Sequence, residues 1–376
     1  MTTLLLIAFA GPPVEATLID DRKISGVLAA VDDANIVVEL NGERNALPRT
    51  DLLRLDFKSA TPSKPTMTIR LVDGSRFGAR TFESDGRTAT VTSDYGRLNF
   101  PVEKLAALLF VDDPHEAAEF AARSTEKTTT DRLALARDGK RLVLEGVVGK
   151  IGAEKIAFTL DGDELPINRS RVKAIYFAQK ASAAKPVAMI GDRTGNVFAS
   201  TEWRWKDGVA LKSPAGFELT IPVGSLAEID LSAGRVVYLS DLEPTLMQHT
   251  PGFDHPWPIL RDRGPDGGKL ELGGTRHAKG MLLHSKTVVY FALNAEYRRF
   301  KTVVGIPTAA GPSGDAEARV LVDGKEVWSH RIRAGENPLH LDLSIAQAKS
   351  IRLEVDFGRN LDLGDHVAFA GARVVK

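Results

Sequence analysis

The sequence predicts an all-β chain of several domains. Three observations carry that expectation: short runs alternate apolar and polar residues, Asp-Gly and Asn-Gly pairs punctuate the runs, and one plan recurs four times before residue 232. At 376 residues the chain exceeds one ordinary domain and gives each of several enough length to bury a core.

The chain opens on an apolar run, Leu4 to Ala10, in which Ala8-Phe9-Ala10 has the small-x-small form of an export cleavage site. Residues 1–14 therefore read as the remnant of an export signal, with the first strand of a soluble protein as the alternative, and the protein is expected to be secreted or held in the cell envelope. A membrane span is not expected, because such a helix needs about 20 apolar residues in a row.

From residue 15 the repeats begin. Residues 15–57 hold turns at Asp20-Asp21, Asp32-Asp33 and Asn41-Gly42, then a Leu47-Pro48 step; residues 68–112 hold Asp73-Gly74, Asp85-Gly86, Tyr95-Gly96 and Phe100-Pro101. Residues 133–178 follow with Asp138-Gly139, Asp161-Gly162 and Leu165-Pro166, and residues 187–232 with Gly191-Asp192, Asp207-Gly208, Ala215-Gly216 and Ile221-Pro222. Asp-Gly and Asn-Gly supply the positive φ of two-residue hairpins, and a proline that cannot donate to a ladder marks a sheet edge. This rhythm is similar to that of SH3-like or Sm-like small barrels.

The repeats are expected as two pairs, 15–112 and 131–232, joined by a helical linker over 113–130. Ala117, Phe120 and Ala121 recur there at helical spacing and should face a neighbouring barrel, with His115 exposed in the first turn. Trp203 and Trp205 share one strand face and should pack in a seam between the last two repeats or form an exposed patch for a partner. The repeats are expected to act as spacer or docking modules, with other proteins as their partners.

The texture changes at residue 235. Strand-like runs such as 350–357, where Ile351, Leu353, Val355 and Phe357 alternate, argue for a two-sheet sandwich over 235–376. The ordered features are Lys279-Gly280 leading into Leu283-His284-Ser285; Tyr297, Phe300 and Val304-Gly305; Val322-Asp323-Gly324 before Trp328; and Gly364-Asp365-His366. Together they resemble the carbohydrate-binding module NPCBM, found attached to glycoside hydrolases and to proteins without an enzyme domain. The resemblance implies a jelly-roll sandwich of the galactose-binding-like type and a glycan or polysaccharide as partner. Lys286, Pro307, Phe369 and Gly371 depart from the family pattern.

Sugar recognition asks for aromatic faces flanked by fixed polar groups. His255 and Trp257, beside Phe253 in a proline-stiffened loop, are the candidate ligand-binding residues, with Arg276 and His277 expected on the same rim. The same loop also reads as structure, with Trp257 plugging the end of the sandwich; His284, Asp365, His366 and Trp328 read as structural. Asp356, Asp362 and Asp365 could seat a structural calcium ion; no other cofactor is expected.

Other classes recede. With 49 basic and 49 acidic residues there is no basic footprint for nucleic acid, and without cysteine there is no thiol chemistry. Seven of the eight histidines follow residue 248, yet no His-Glu-x-x-His, Gly-x-Ser-x-Gly or P-loop appears. The expected function is therefore non-catalytic glycan binding; the rival is a structural or protein-interaction component of an envelope or extracellular assembly.

Overall fold

A computed structural model of the chain describes residues 11–19, 22–57, 67–110, 114–126, 128–137, 140–178, 185–250 and 257–376. Most of the export-signal reading (residues 1–10), the Asp20-Asp21 turn, Asp138-Gly139, Phe253 and His255 lie outside them. The chain divides into two units, Met1–Gly234 and Arg235–Lys376.

In the first unit one pairing pattern recurs in four segments. Pro13–Leu18 pairs antiparallel with both Lys23–Val31 and Leu52–Phe57, while Asn35–Leu40 bridges Lys23–Val31 to Glu43–Pro48. Likewise Asp131–Arg137 lies between Lys140–Ile151 and Val172–Tyr176, and Lys155–Leu160 leads out to Asp163–Asn168. In these two segments the second strand bends from one partner to the next; in the other two it is broken into Arg76–Gly78 and Thr81–Ser84, and into Val197–Ser200 and Glu202–Trp205. Glycine permits the bend: a Cβ on Gly26 would stand 2.4 Å from the Glu39 carbonyl oxygen, and one on Gly146 would stand 2.2 Å from that of Thr159.

Asn41-Gly42 and Asp161-Gly162 take positive φ at both residues, as two-residue hairpins require. Not every such pair does so. At Asp73-Gly74 and Asp85-Gly86 only the glycine has positive φ, and the carboxylate instead accepts main-chain N–H groups of Ser75, Arg87 and Thr88. Gly191-Asp192 is not a turn but the end of the strand Ala188–Asp192. Pro48, Pro101 and Pro222 each end a strand that pairs, among the described residues, with one neighbour.

The segments join in a nested order. Leu52–Phe57 pairs with Leu226–Asp230, and Leu105–Leu109 pairs with Val172–Tyr176, so the first segment joins the fourth and the second joins the third. Strand pairing thus crosses the sequence-order pairs 15–112 and 131–232. The physical reason is that the closing strands cover one another's open edges: Leu105–Leu109 is buried throughout, and across the first–fourth seam Arg54 pairs with Glu228 at 2.7 Å. Trp203 and Trp205 accordingly face the first segment, not the third: the Arg49 guanidinium sits 3.8 Å from the Trp203 ring, and Trp205 stacks on Phe57 at 6.3 Å.

The helix Pro114–Arg123 buries Phe120 against Ala107, Leu109, Ala134, Ala174 and Tyr176, over the second–third seam. Ala117 and Ala121 are exposed, contrary to the expected stripe; Glu116 and Glu119 lie partly buried instead, both paired with Arg141. His115 is exposed.

The second unit is a two-sheet sandwich. One sheet runs Leu260–Arg261, Gly280–His284, His366–Val375, Arg299–Gly305, Leu339–Ser344, with Val236–Tyr238 beside the far end of His366–Val375. The other runs Leu246–His249, Thr287–Ala292, Ser350–Phe357, Asp315–Val322, Lys325–Arg333. Met281, Leu283, Phe300 and Phe369 meet Val289, Phe291, Val320 and Leu353 between them. Period-two alternation turns Leu282, Ala368 and Ala370 to the outside of the first sheet, where Leu270 and Leu272 of a small hairpin cover them. Trp328 is half-buried against the core.

Candidate functional site

The alternation that turns Leu282 and Ala368 outward does the same to His284 and His366, which are directly paired at the ends of their strands. Their rings lie 4.6 Å apart. Trp257 stacks on His284 at 5.1 Å and meets His366 edge-on at 4.8 Å, yet remains 38% exposed. His249, the last residue of Leu246–His249, lies 6.1 Å from His284.

Hydrogen bonds fix the proton on two of the rings. His249 Nε2 accepts the Trp257 main-chain N–H at 3.2 Å, so the proton is on Nδ1, which donates to Thr287 Oγ1 at 2.9 Å. His284 Nδ1 donates to the Ser285 carbonyl at 2.8 Å. Burial holds all three imidazoles below the ordinary histidine range, with His366 lowered to about 4. Asp362 pulls His249 and His284 the other way, but burial is the larger cause. At neutral pH the cluster is therefore an uncharged aromatic platform, suited to stacking against the C–H face of a ring.

Beside it Asp365 is fully buried. Burial pushes its carboxyl up to about 6, although Oδ1 accepts the Asp315 N–H at 2.9 Å. Among the described residues no three His, Cys, Asp or Glu side chains converge to hold a metal ion, and Asp356, Asp362 and Asp365 form no cation cage.

The expected site residues separate. Trp257 belongs to the platform, and His255 lies outside the described residues. Arg276 and His277 stand at the other end of the sheet: Gly280 pairs with Ala370 where His284 pairs with His366, a rise of about 13 Å along the strand. There His277 is lowered by burial and by the nearby His340 and Arg373, and Arg276 pairs with Glu271 at 3.3 Å. They do not share a rim with Trp257. Sequence reasoning missed His249 and set His284 and His366 aside as structural. The signal was the spacing Leu282-x-His284 and His366-x-Ala368, which puts each histidine on its strand's outward face.

Residues 235–375 match the family model described as NPCBM/NEW2 domain. Over 216 residues the chain is 26% identical to a protein of Renibacterium salmoninarum provisionally named endo-alpha-N-acetylgalactosaminidase; the match takes in 51% of this chain and 13% of that protein's length. Among solved structures, a CBM51 module of a Clostridium perfringens GH95 protein, in complex with methyl-galactose, is 24% identical, covering 37% of this chain and 99% of that one at a TM-score of 0.34. Tandem CBM51 modules of a family 98 glycoside hydrolase from Streptococcus pneumoniae are 14% identical, covering 96% and 88%, at a TM-score of 0.33. No helix among the described residues is long and apolar enough to cross a membrane.

Proposed function

We propose that the C-terminal sandwich binds a glycan without chemistry of its own, outside the cytoplasm, and that the four N-terminal segments serve as spacer or docking modules. The observation that carries this reading is the match of residues 235–375 to a carbohydrate-binding domain family, in a unit that presents a half-open Trp257 backed by two imidazoles. A pyranose stacks on the open indole, while His249, His284 and His366 keep the ring in place and uncharged.

Glycan-array and affinity-gel measurements on the full chain test it. Retention by at least one glycan is expected, and Trp257→Ala should weaken that retention at least about ten-fold, the loss typical of an aromatic anchor. A folded chain retained by no glycan, or a Trp257→Ala variant retained as well as the parent, defeats the proposal. Release of sugar from any glycan by the purified chain would defeat its non-catalytic part.

A further inference from the structure

We infer that His249 is the positioning residue of the Trp257 platform, a latch whose neutral imidazole holds the main chain of Trp257 and lets go when protonated. The inference rests on the glycan-binding reading for its purpose, though not for its geometry. Trp257 N–H needs an acceptor, and His249 Nε2 provides it at 3.2 Å. The imidazole cannot swivel away freely, because Nδ1 is tied to Thr287 Oγ1 at 2.9 Å and Thr287 is itself buried and paired in register with His249. A third contact, the stack of Trp257 on His284, depends on where the latch puts the indole.

Only one protonation state works. A proton on Nε2 turns the acceptor into a donor facing another donor, and the bond to Trp257 is lost. The charged and titratable groups around His249 are Asp362 from the loop after Ser350–Phe357, His284 from the neighbouring strand and, one ring further on, His366 with Asp365; Lys286 lies close by, its carbonyl accepting the Thr250 N–H. Asp362 favours the proton and burial opposes it more strongly, so the latch is closed at neutral pH and opens in acid. Family resemblance points to His284, Asp365 and His366 but not to His249, whose part is visible only in the geometry.

Fluorine NMR of the full chain labelled with 5-fluorotryptophan reads the latch without any ligand. The chain has four tryptophans, so the Trp257 signal is assigned by its loss in Trp257→Phe, and the other three report folding. The parent's Trp257 signal should move or broaden as pH falls below the ordinary histidine value of 6.5, from which burial lowers His249, while Trp203 and Trp205 stay; Trp328, stacked on His330 at 6.2 Å, is no pH reference. His249→Gln, whose amide oxygen still accepts, should keep the neutral-pH signal and lose most of that pH response. His249→Lys, which can only donate, should show the acid-like signal at about pH 7. Retention on mucin-agarose should fall at least about ten-fold for His249→Lys and stay within about two-fold for His249→Gln. A Trp257 signal unchanged in His249→Lys, or a full pH response kept in His249→Gln, overturns the latch. A parent retained neither by mucin-agarose nor by any glycan of the array, with the expected spectra, would count against the glycan reading alone.

Discussion

Each unit buries an aspartate and sets tryptophan against a nitrogen-bearing side chain, and the two units use these residues in opposite ways. In the N-terminal unit Asp192 accepts hydrogen bonds from the Tyr95 hydroxyl, Thr194 and Asn196, tying the fourth segment to the second. Trp203, 6% exposed, lies under Arg49 and ties the fourth segment to the first. In the C-terminal unit Asp365 is just as buried, yet its Oδ2 and the adjacent Ser285 Oγ have no well-formed hydrogen bond among the described residues. Trp257 leans on imidazoles and keeps over a third of its surface in solvent. In the first unit this aspartate and this indole are absorbed in holding segments together. The other unit leaves its own under tension or open at one end of a sandwich, which is where binding is to be sought.

The largest expected effect breaks the N-terminal half of this contrast. Trp203→Ala removes a buried indole and its cation–π partner at the first–fourth seam and should cost about 3–5 kcal/mol, read as an earlier unfolding transition in urea. A loss below about 1 kcal/mol would mean that the seam does not hold the segments together.

Next comes Asp365→Asn, with the opposite sign. The carboxyl titrates near 3.8 when unfolded and about 6 when folded. Between these values the folded chain binds more protons than the unfolded one, so stability falls as pH rises and the full cost is present above about pH 6. Asparagine carries no charge and keeps an acceptor for the Asp315 N–H. The variant should be more stable than the parent by about 1–3 kcal/mol near pH 8, with the gain vanishing near pH 4. His366 works against this slope. Its folded value of about 4 lies below its ordinary 6.5, so the unfolded chain binds more protons in that window and stability there rises with pH. His249, His284 and His277, also lowered by burial, add slope of the same sign as His366, so Asp365→Asn should make the rise of melting temperature with pH between about 4 and 6 steeper than in the parent.

Much of the architecture was legible because it follows from local rules. Asn41-Gly42 and Asp161-Gly162 could be read as hairpins since positive φ is a property of the residues themselves. Asp85-Gly86 could not be told from them, because its carboxylate closes a different turn with groups two and three residues on. The nested joining of segments was out of reach: it depends on which open edges meet, and the runs 52–57 and 226–230 look alike to any partner. The site was half legible. Trp257 could be singled out by chemistry, but Arg276 and His277 are near His284 in sequence and far from it along the strand. His249 became visible only when a second sheet's edge strand brought its ring to the Trp257 main chain.

The smallest expected effect decides between platform and plug. Trp257 is exposed, and its contacts among the described residues include two imidazole rings and a main-chain bond to His249, whereas Phe291 and Phe369 lie in the packed apolar interior. Removing the indole leaves His284 and His366 more exposed, which lowers the cost of hydrating them and offsets part of the lost stacking. Trp257→Ala should therefore cost about 1 kcal/mol or less in urea unfolding of the C-terminal unit, against several for Trp203→Ala, while weakening glycan retention at least about ten-fold. A loss near that of Trp203 would make Trp257 the stopper of the sandwich end. In that case any fall in retention would report unfolding rather than a lost sugar contact.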